Sequence, residues 1–141
     1  MLHSSSDPLQ PVSDCPACPR LAEYRVSGRL AAPDEWNAPL LPSGDVSAGL
    51  LIVAPPCEHA KHRTTAEALI GMLPFFGDVL AETGFSDTAS PSLLLKDCRL
   101  VSAVRCAVPA GLALPTEVSG CNRFLIPTVI PTEFSCDSSV M

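Results

Sequence analysis

Ser102–Leu125 reads SAVRCAVPAGLALPTEVSGCNRFL and carries two cysteines, Cys106 and Cys121, with fourteen residues between them. An apolar run, Leu100 through Val104, leads into it. A proline-containing loop follows Cys106, and Pro115-Thr116-Glu117 then has the form of a helix entry, with Cys121, Phe124 and Leu125 on one face. Far upstream, Cys15-Pro16-Ala17-Cys18 supplies a Cys-x-x-Cys pair. Four thiolates in two pairs are the simplest set in this chain that could hold a metal centre, and soft thiolate ligands select zinc or an iron–sulfur cluster. Structural zinc sites usually take two tight pairs around a short knuckle. Here the second pair is wide and the gap from Cys18 to Cys106 spans most of the chain. That favours a cluster pinning two distant segments of one fold. Ordinary buried thiols are the alternative, because free cysteine is among the most buried residue types.

Working outward, 141 residues fit one domain. An apolar content of 47% and a mean hydropathy of +0.29 allow a packed core, and fifteen prolines predict interrupted elements. The net charge of −6 argues against a broad grip on phosphate while leaving room for a local basic patch. The opening, MLHSSSDPLQPVSD, has neither the basic nor the apolar region of a signal peptide. The longest apolar runs are far short of a membrane span. Seven cysteines, an odd number, therefore read as thiols or ligands in a reducing, cytoplasmic setting. Cys57, Cys98 and Cys136 read as inert thiols.

In chain order, residues 1–13 are Ser/Pro-rich and read as a disordered tail. A short helix opens after Pro19, with Leu21 and Tyr24 on its buried face, and residues 27–48, which include the single tryptophan Trp36, read as irregular. Trp36 reads as a packing anchor. Gly49–Ala54 (GLLIVA) is a continuous apolar run stopped by Pro55-Pro56, the pattern of a strand buried on both faces of a parallel sheet. The following loop, Pro55–Thr65, carries Cys57, Glu58, His59, Lys61, His62 and Arg63. Ligands of open parallel sheets bind beyond such strand ends, and a solvated surface loop is the alternative. Ala66–Gly84 reads as helix divided at Pro74, with Phe75, Phe76, Val79 and Leu80 as its apolar face and Gly84 as its stop. Cys98–Val104 is a second strand, completing a right-handed crossover unit. The late helix is expected to stop at Pro127, leaving 127–141 irregular.

Taken in order, Cys-Pro-x-Cys-Pro-Arg-Leu at 15–21, the Leu-Ile-Val strand and its loop at 50–64, Thr-Gly-Phe at 83–85, and Val-Arg-Cys-Ala-x-Pro through Cys121 at 104–125 resemble the iron–sulfur uracil-DNA glycosylases, closest to family five and related to family four. The resemblance implies a three-layer α/β/α fold with a central parallel sheet, occupying residues 14–126 as a partial domain whose last strand and helix would fall beyond Met141. It also implies a four-iron–four-sulfur cluster on Cys15, Cys18, Cys106 and Cys121, and uracil-containing DNA as partner. The activity implied is hydrolysis of the N-glycosidic bond of uracil or a related deaminated base, in base-excision repair. His59 and Arg63 match the family's loop and become candidate DNA contacts.

The chain also departs from that pattern. Ala54-Pro55-Pro56-Cys57 stands where the family has glycines against the base. Ile70 and Gly71 stand where it has an acidic residue, and Gly111-Leu112 replace an Asn-Lys pair. The late His-Pro-Ser motif has no counterpart, so no catalytic residue is assigned. Beside the enzyme reading stand two others: a truncated, inactive member serving as an iron–sulfur structural or DNA-binding module, and an unrelated four-cysteine metal-binding domain.

Overall fold

The computed structural model describes residues 10–58, 61–87 and 94–129, with side chains up to residue 125. His59, Cys136 and the segment Thr132–Met141 lie outside the described residues. The chain is of the α/β class. Two five-residue strands, β1 (Leu50–Ala54) and β2 (Cys98–Ser102), run parallel, in register from Leu50 beside Cys98 to Ala54 beside Ser102. The long connection between them forms two helices, α2 (Thr65–Met72) and α3 (Phe75–Glu82), as parallel neighbours require.

The strand buried on every side is β2, whose five residues are all buried. The apolar run of Gly49–Ala54 predicts that role for the first strand instead. Ser43 pairs with Leu100 across the far edge of β2, its N–H and C=O both engaged, so β2 lies between two neighbours. Among the described residues β1 pairs only with β2. Ile52 and Ala54 face α2 and α3, whereas Val53 on the opposite face is 47% exposed. A continuous apolar run shows that a strand exists; how many sides are covered depends on its place in the sheet.

Pro74 divides the helices as expected, because a proline cannot donate into the preceding turn. Thr64 starts α2 with a reciprocal capping box: its hydroxyl accepts from the Glu67 N–H at 3.3 Å, and the Glu67 carboxylate accepts from the Thr64 N–H at 3.1 Å. The Thr65 N–H donates to the Leu41 carbonyl and the Ala66 N–H to Ser43 Oγ, so segment 41–43 is stitched to the start of this helix. On α3 the apolar residues split. Phe76 and Leu80 turn inward while Phe75 and Val79 remain exposed, since each pair is four apart and the two pairs are offset by one residue. Gly84 ends the helix at φ +86, a left-handed conformation that costs glycine little.

Helix α1 (Pro19–Ala31) is longer than the sequence pattern suggested. Asn37, itself at φ 47, explains the extension. Its side-chain amide donates to the carbonyls of Ala32 and Glu35 and so closes the turn beyond the helix end. A Cβ on Gly28 would stand 2.7 Å from Asn37 Oδ1, so the glycine makes room for this closure. Residues 10–13 of the expected tail are held too. Gln10 accepts from Arg105, and the Ser13 carbonyl accepts from Arg29. Helix α4 (Pro115–Val129) runs past Pro127, where the prediction had ended it. Pro127 stands in the last turn, two residues before the helix ends, where the loss of its N–H interrupts little of the ladder.

Two cores result. Ala54, Ala66, Leu69, Leu80, Cys98 and Leu100 join the sheet to α2 and α3. Leu21, Val104 and Val108 form a second, beyond the end of β2, with Cys18 and Cys106 packed against it. Leu100 is wholly buried at the centre of the first. Leu100→Ala is expected to lower stability by about 3 kcal/mol through lost burial and a cavity, read as a fall in urea midpoint with unchanged slope. A change under about 1 kcal/mol would show that the site collapses around the alanine.

Candidate metal centre

The second core is where the two cysteine pairs meet. Cys18 is the N-cap residue of α1, and Pro19 occupies the first helical position, where its missing N–H costs nothing. Cys15 sits one turn earlier, its N–H donating to the Val12 carbonyl at 3.0 Å. Cys106 follows the end of β2 by four residues, and Cys121 lies on α4. All four line one narrow cavity, together with Leu21, Val104 and Gly120. The structure thus brings together residues separated by most of the chain. No disulfide joins any of the six described cysteines.

Two helix starts are clamped around this cavity. Arg20 on α1 makes a bidentate contact with Glu117 on α4, Nε to Oε2 at 2.8 Å and Nη2 to Oε1 at 2.7 Å. The same Nη2 also donates to the Leu112 carbonyl. Glu117 further accepts from the Leu114 N–H at 2.8 Å, and its side chain is 4% exposed. The Arg20 guanidinium holds the Glu117 carboxyl below the ordinary carboxylate range; burial opposes the shift and the Leu114 bond adds to it.

The charge around the sulfurs is unusual. Arg25 is 7% exposed and Arg105 is 1% exposed. Arg25 Nη1 approaches Cys106 Sγ at 3.6 Å and its Nη2 donates to the Cys15 carbonyl at 3.0 Å. The Arg105 backbone N–H donates to Cys121 Sγ at 3.4 Å, and its guanidinium reaches Gln10 and the Phe124 carbonyl. Neither arginine has a carboxylate partner among the described residues, and the Nε of each has no hydrogen-bond acceptor. Burying a cation without an anion costs several kcal/mol. Cys106 lies against the Arg25 guanidinium and Cys121 and Cys106 act on Arg105, while the Asp14 carboxylate, fastened to Arg29, also feels Arg25.

As thiols, Cys18, Cys106 and Cys121 are reluctant to ionise. Burial pushes the Cys106 thiol up to about 11, against the pull of Arg25. Burial likewise raises Cys121 and Cys18, the other cysteines of the set adding repulsion. A metal would reverse this by replacing the protons, which are released on binding. The donor chemistry, four soft sulfurs with two buried cations beside them, suits a thiolate centre of net negative charge, which zinc and iron–sulfur cores both give. Among the described residues no group of three or more His, Cys, Asp or Glu side chains is arranged to hold a single metal ion.

Of the other predicted site residues, Arg63 is exposed and its guanidinium lies 4.8 Å above the Trp36 ring. Trp36 donates from Nε1 to the Pro39 carbonyl at 3.1 Å, so it is anchored as expected and also carries a cation on its face. Arg63 lines neither the cysteine cavity nor the larger one beside it. That second cavity, about 270 Å³, is bordered by Tyr24, Arg25, Asn37, Glu58 and Cys106. The Tyr24 hydroxyl donates to the Glu58 carbonyl at 3.1 Å, tying the loop after β1 to α1. Cys57 and Cys98 are buried in the cores, and burial raises the Cys98 thiol. The sequence reading missed Arg25 and Arg105. Arg25 follows Cys18 by seven residues, two helical turns on the same face, and Arg105 directly precedes Cys106. Both signals were present, but a charged residue is rarely assigned to a core without its partner in view.

No known family model matches the chain. It is 28% identical over 125 aligned positions to the Type-5 uracil-DNA glycosylase of Pyrobaculum aerophilum, an alignment covering 79% of this chain and 54% of that protein. The chain therefore spans about half the length of the curated relative it matches.

The Arg20–Glu117 clamp makes a pH-dependent contribution. A carboxyl whose folded pKa is depressed stabilises the fold above its unfolded value, about 4.3, and loses that effect as pH falls through the folded value. Wild type is expected to exceed Glu117→Gln in urea midpoint at pH 6, with the gap closing between about pH 4.5 and pH 3. A gap constant across this range would show that the carboxylate charge contributes nothing.

Proposed function

We propose that this chain is a uracil-DNA-glycosylase-like DNA-repair protein that carries a four-iron–four-sulfur cluster on Cys15, Cys18, Cys106 and Cys121. The observation that carries the proposal is their convergence on one cavity beside two buried arginines that make no salt bridge among the described residues. The similarity to a Type-5 uracil-DNA glycosylase supplies the activity and the DNA substrate. In this reading residues 14–126 carry the glycosylase-like portion, and the two strands belong to a larger three-layer α/β/α body. A cytoplasmic setting suits it, since thiols must stay reduced to serve as ligands. No helix among the described residues is long and apolar enough to cross a membrane.

The cluster's contribution is structural: it braces α1, α4 and the segment leaving β2. Hydrolysis of a glycosidic bond needs no electron transfer. The base must be flipped out of the stack and its leaving charge stabilised by fixed donors. Arg63, exposed beyond the C-terminal end of β1, is the side chain best placed among the described loop residues to take a phosphate. The start of α2 is not free for that purpose. Its first N–H groups are already bonded to Leu41, Ser43 and Thr64.

A second reading, a DNA-binding module that does not cut, is favoured by Ile70 and Gly71. Neither can orient a water molecule, Ile70 is buried, and the His62 ring lies against Gly71.

Protein purified without oxygen is expected to contain about four irons and about four sulfides per chain, lost in Cys106→Ser/Cys121→Ser. Zinc alone would overturn the cluster. The same preparation is tested on a uracil-containing single strand: abasic sites that fall severalfold with Arg63→Ala support the enzyme. Salt-dependent binding without abasic sites supports the module.

A further inference from the structure

The larger cavity and the cysteine cavity share one residue, Cys106, and the charged side chain standing at that shared wall is Arg25. Arg25 lines the 270 Å³ cavity, places Nη1 3.6 Å from Cys106 Sγ, and ties Nη2 to the carbonyl of Cys15. It therefore touches one member of each cysteine pair. It is 7% exposed, makes no salt bridge among the described residues, and its buried Nε has no acceptor. The one carboxylate that feels it, Asp14, is fastened to Arg29 instead, so a nearby thiolate would offset much of its desolvation cost.

We propose that Arg25 is a positioning residue that retains the metal centre. Its guanidinium balances the charge of the thiolate core on the side facing the cavity, donates to the Cys106 sulfur, and holds the Cys15 loop against α1. The proposal rests on the cluster reading above. Outer-sphere donors of this kind orient ligands and hold metal, and their loss commonly costs tenfold or more in affinity. Lysine keeps the charge on a flexible stem, whereas glutamine keeps some reach and a donor without the charge. The two substitutions therefore separate charge from shape.

The experiment loads wild type, Arg25→Lys and Arg25→Gln with iron and sulfide without oxygen. It then follows the loss of the visible absorption band as a ferrous chelator strips the iron. Circular dichroism of each variant checks the fold. Iron release about tenfold faster in Arg25→Gln, with Arg25→Lys closer to wild type, is the expected result. Loss of all iron from Arg25→Gln while Arg25→Lys stays loaded supports the same conclusion. Equal release from Arg25→Gln and wild type would overturn the proposal. So would equal impairment of both variants, because charge would then be irrelevant. A wild-type chain that takes up no iron would sink the cluster reading itself, an outcome distinct from an iron-loaded wild type with an indifferent Arg25.

Discussion

Two buried guanidiniums that make no salt bridge among the described residues set the central constraint at the cysteine cavity. Arg25 and Arg105 approach the cysteine cavity from different elements, one from α1 and the other from the segment leaving β2. An isolated ion in a protein interior carries a desolvation cost that only nearby opposite charge offsets. With four neutral thiols as neighbours that cost is not offset. With a thiolate centre of about two net negative charges, two arginines bring the site close to neutrality. In the proposed reading, the charge balance makes the cysteines and the arginines a single unit.

That unit sits where the sheet cannot hold the fold together. The first core binds β1 and β2 to α2 and α3, but α1 packs Leu21 into the second, with Val104 and Val108, and α4 meets it through Gly120, Cys121 and Phe124 at the cysteine cavity. Three buried apolar side chains are a small core for two helices. Around it the structure places polar fastenings instead: the Arg20–Glu117 fork, the Asn37 closure of α1, and Gln10 against Arg105. A covalent metal centre at the middle of these contacts would supply the rigidity that apolar burial does not.

The cysteine region also touches the loop beyond the C-terminal end of β1. Tyr24 on α1 holds the Glu58 carbonyl in the loop after β1, and both border the cavity that reaches Cys106. Parallel sheets bind ligands beyond their strand ends, and the Tyr24 bond ties α1 directly to that loop. The Trp36–Arg63 pair extends the same edge, with a cation exposed over an anchored ring.

Local pattern by itself determined much of this protein. The parallel strands, the break at Pro74, the stop at Gly84 and the entry at Pro115 depend on backbone chemistry within a few residues, and each stands as read. Cysteine positions and thiol softness are likewise open to the sequence alone, whereas the meeting of the two pairs at one cavity is tertiary. Only the tertiary structure decided which strand is enclosed, because enclosure depends on Ser43 arriving at the far edge of β2. It alone decided that α1 continues to Ala31, because Asn37 closes that helix from outside it. It also placed Arg25 and Arg105 inside, since a charge is buried or exposed according to what surrounds it, and those surroundings come from segments some eighty residues away.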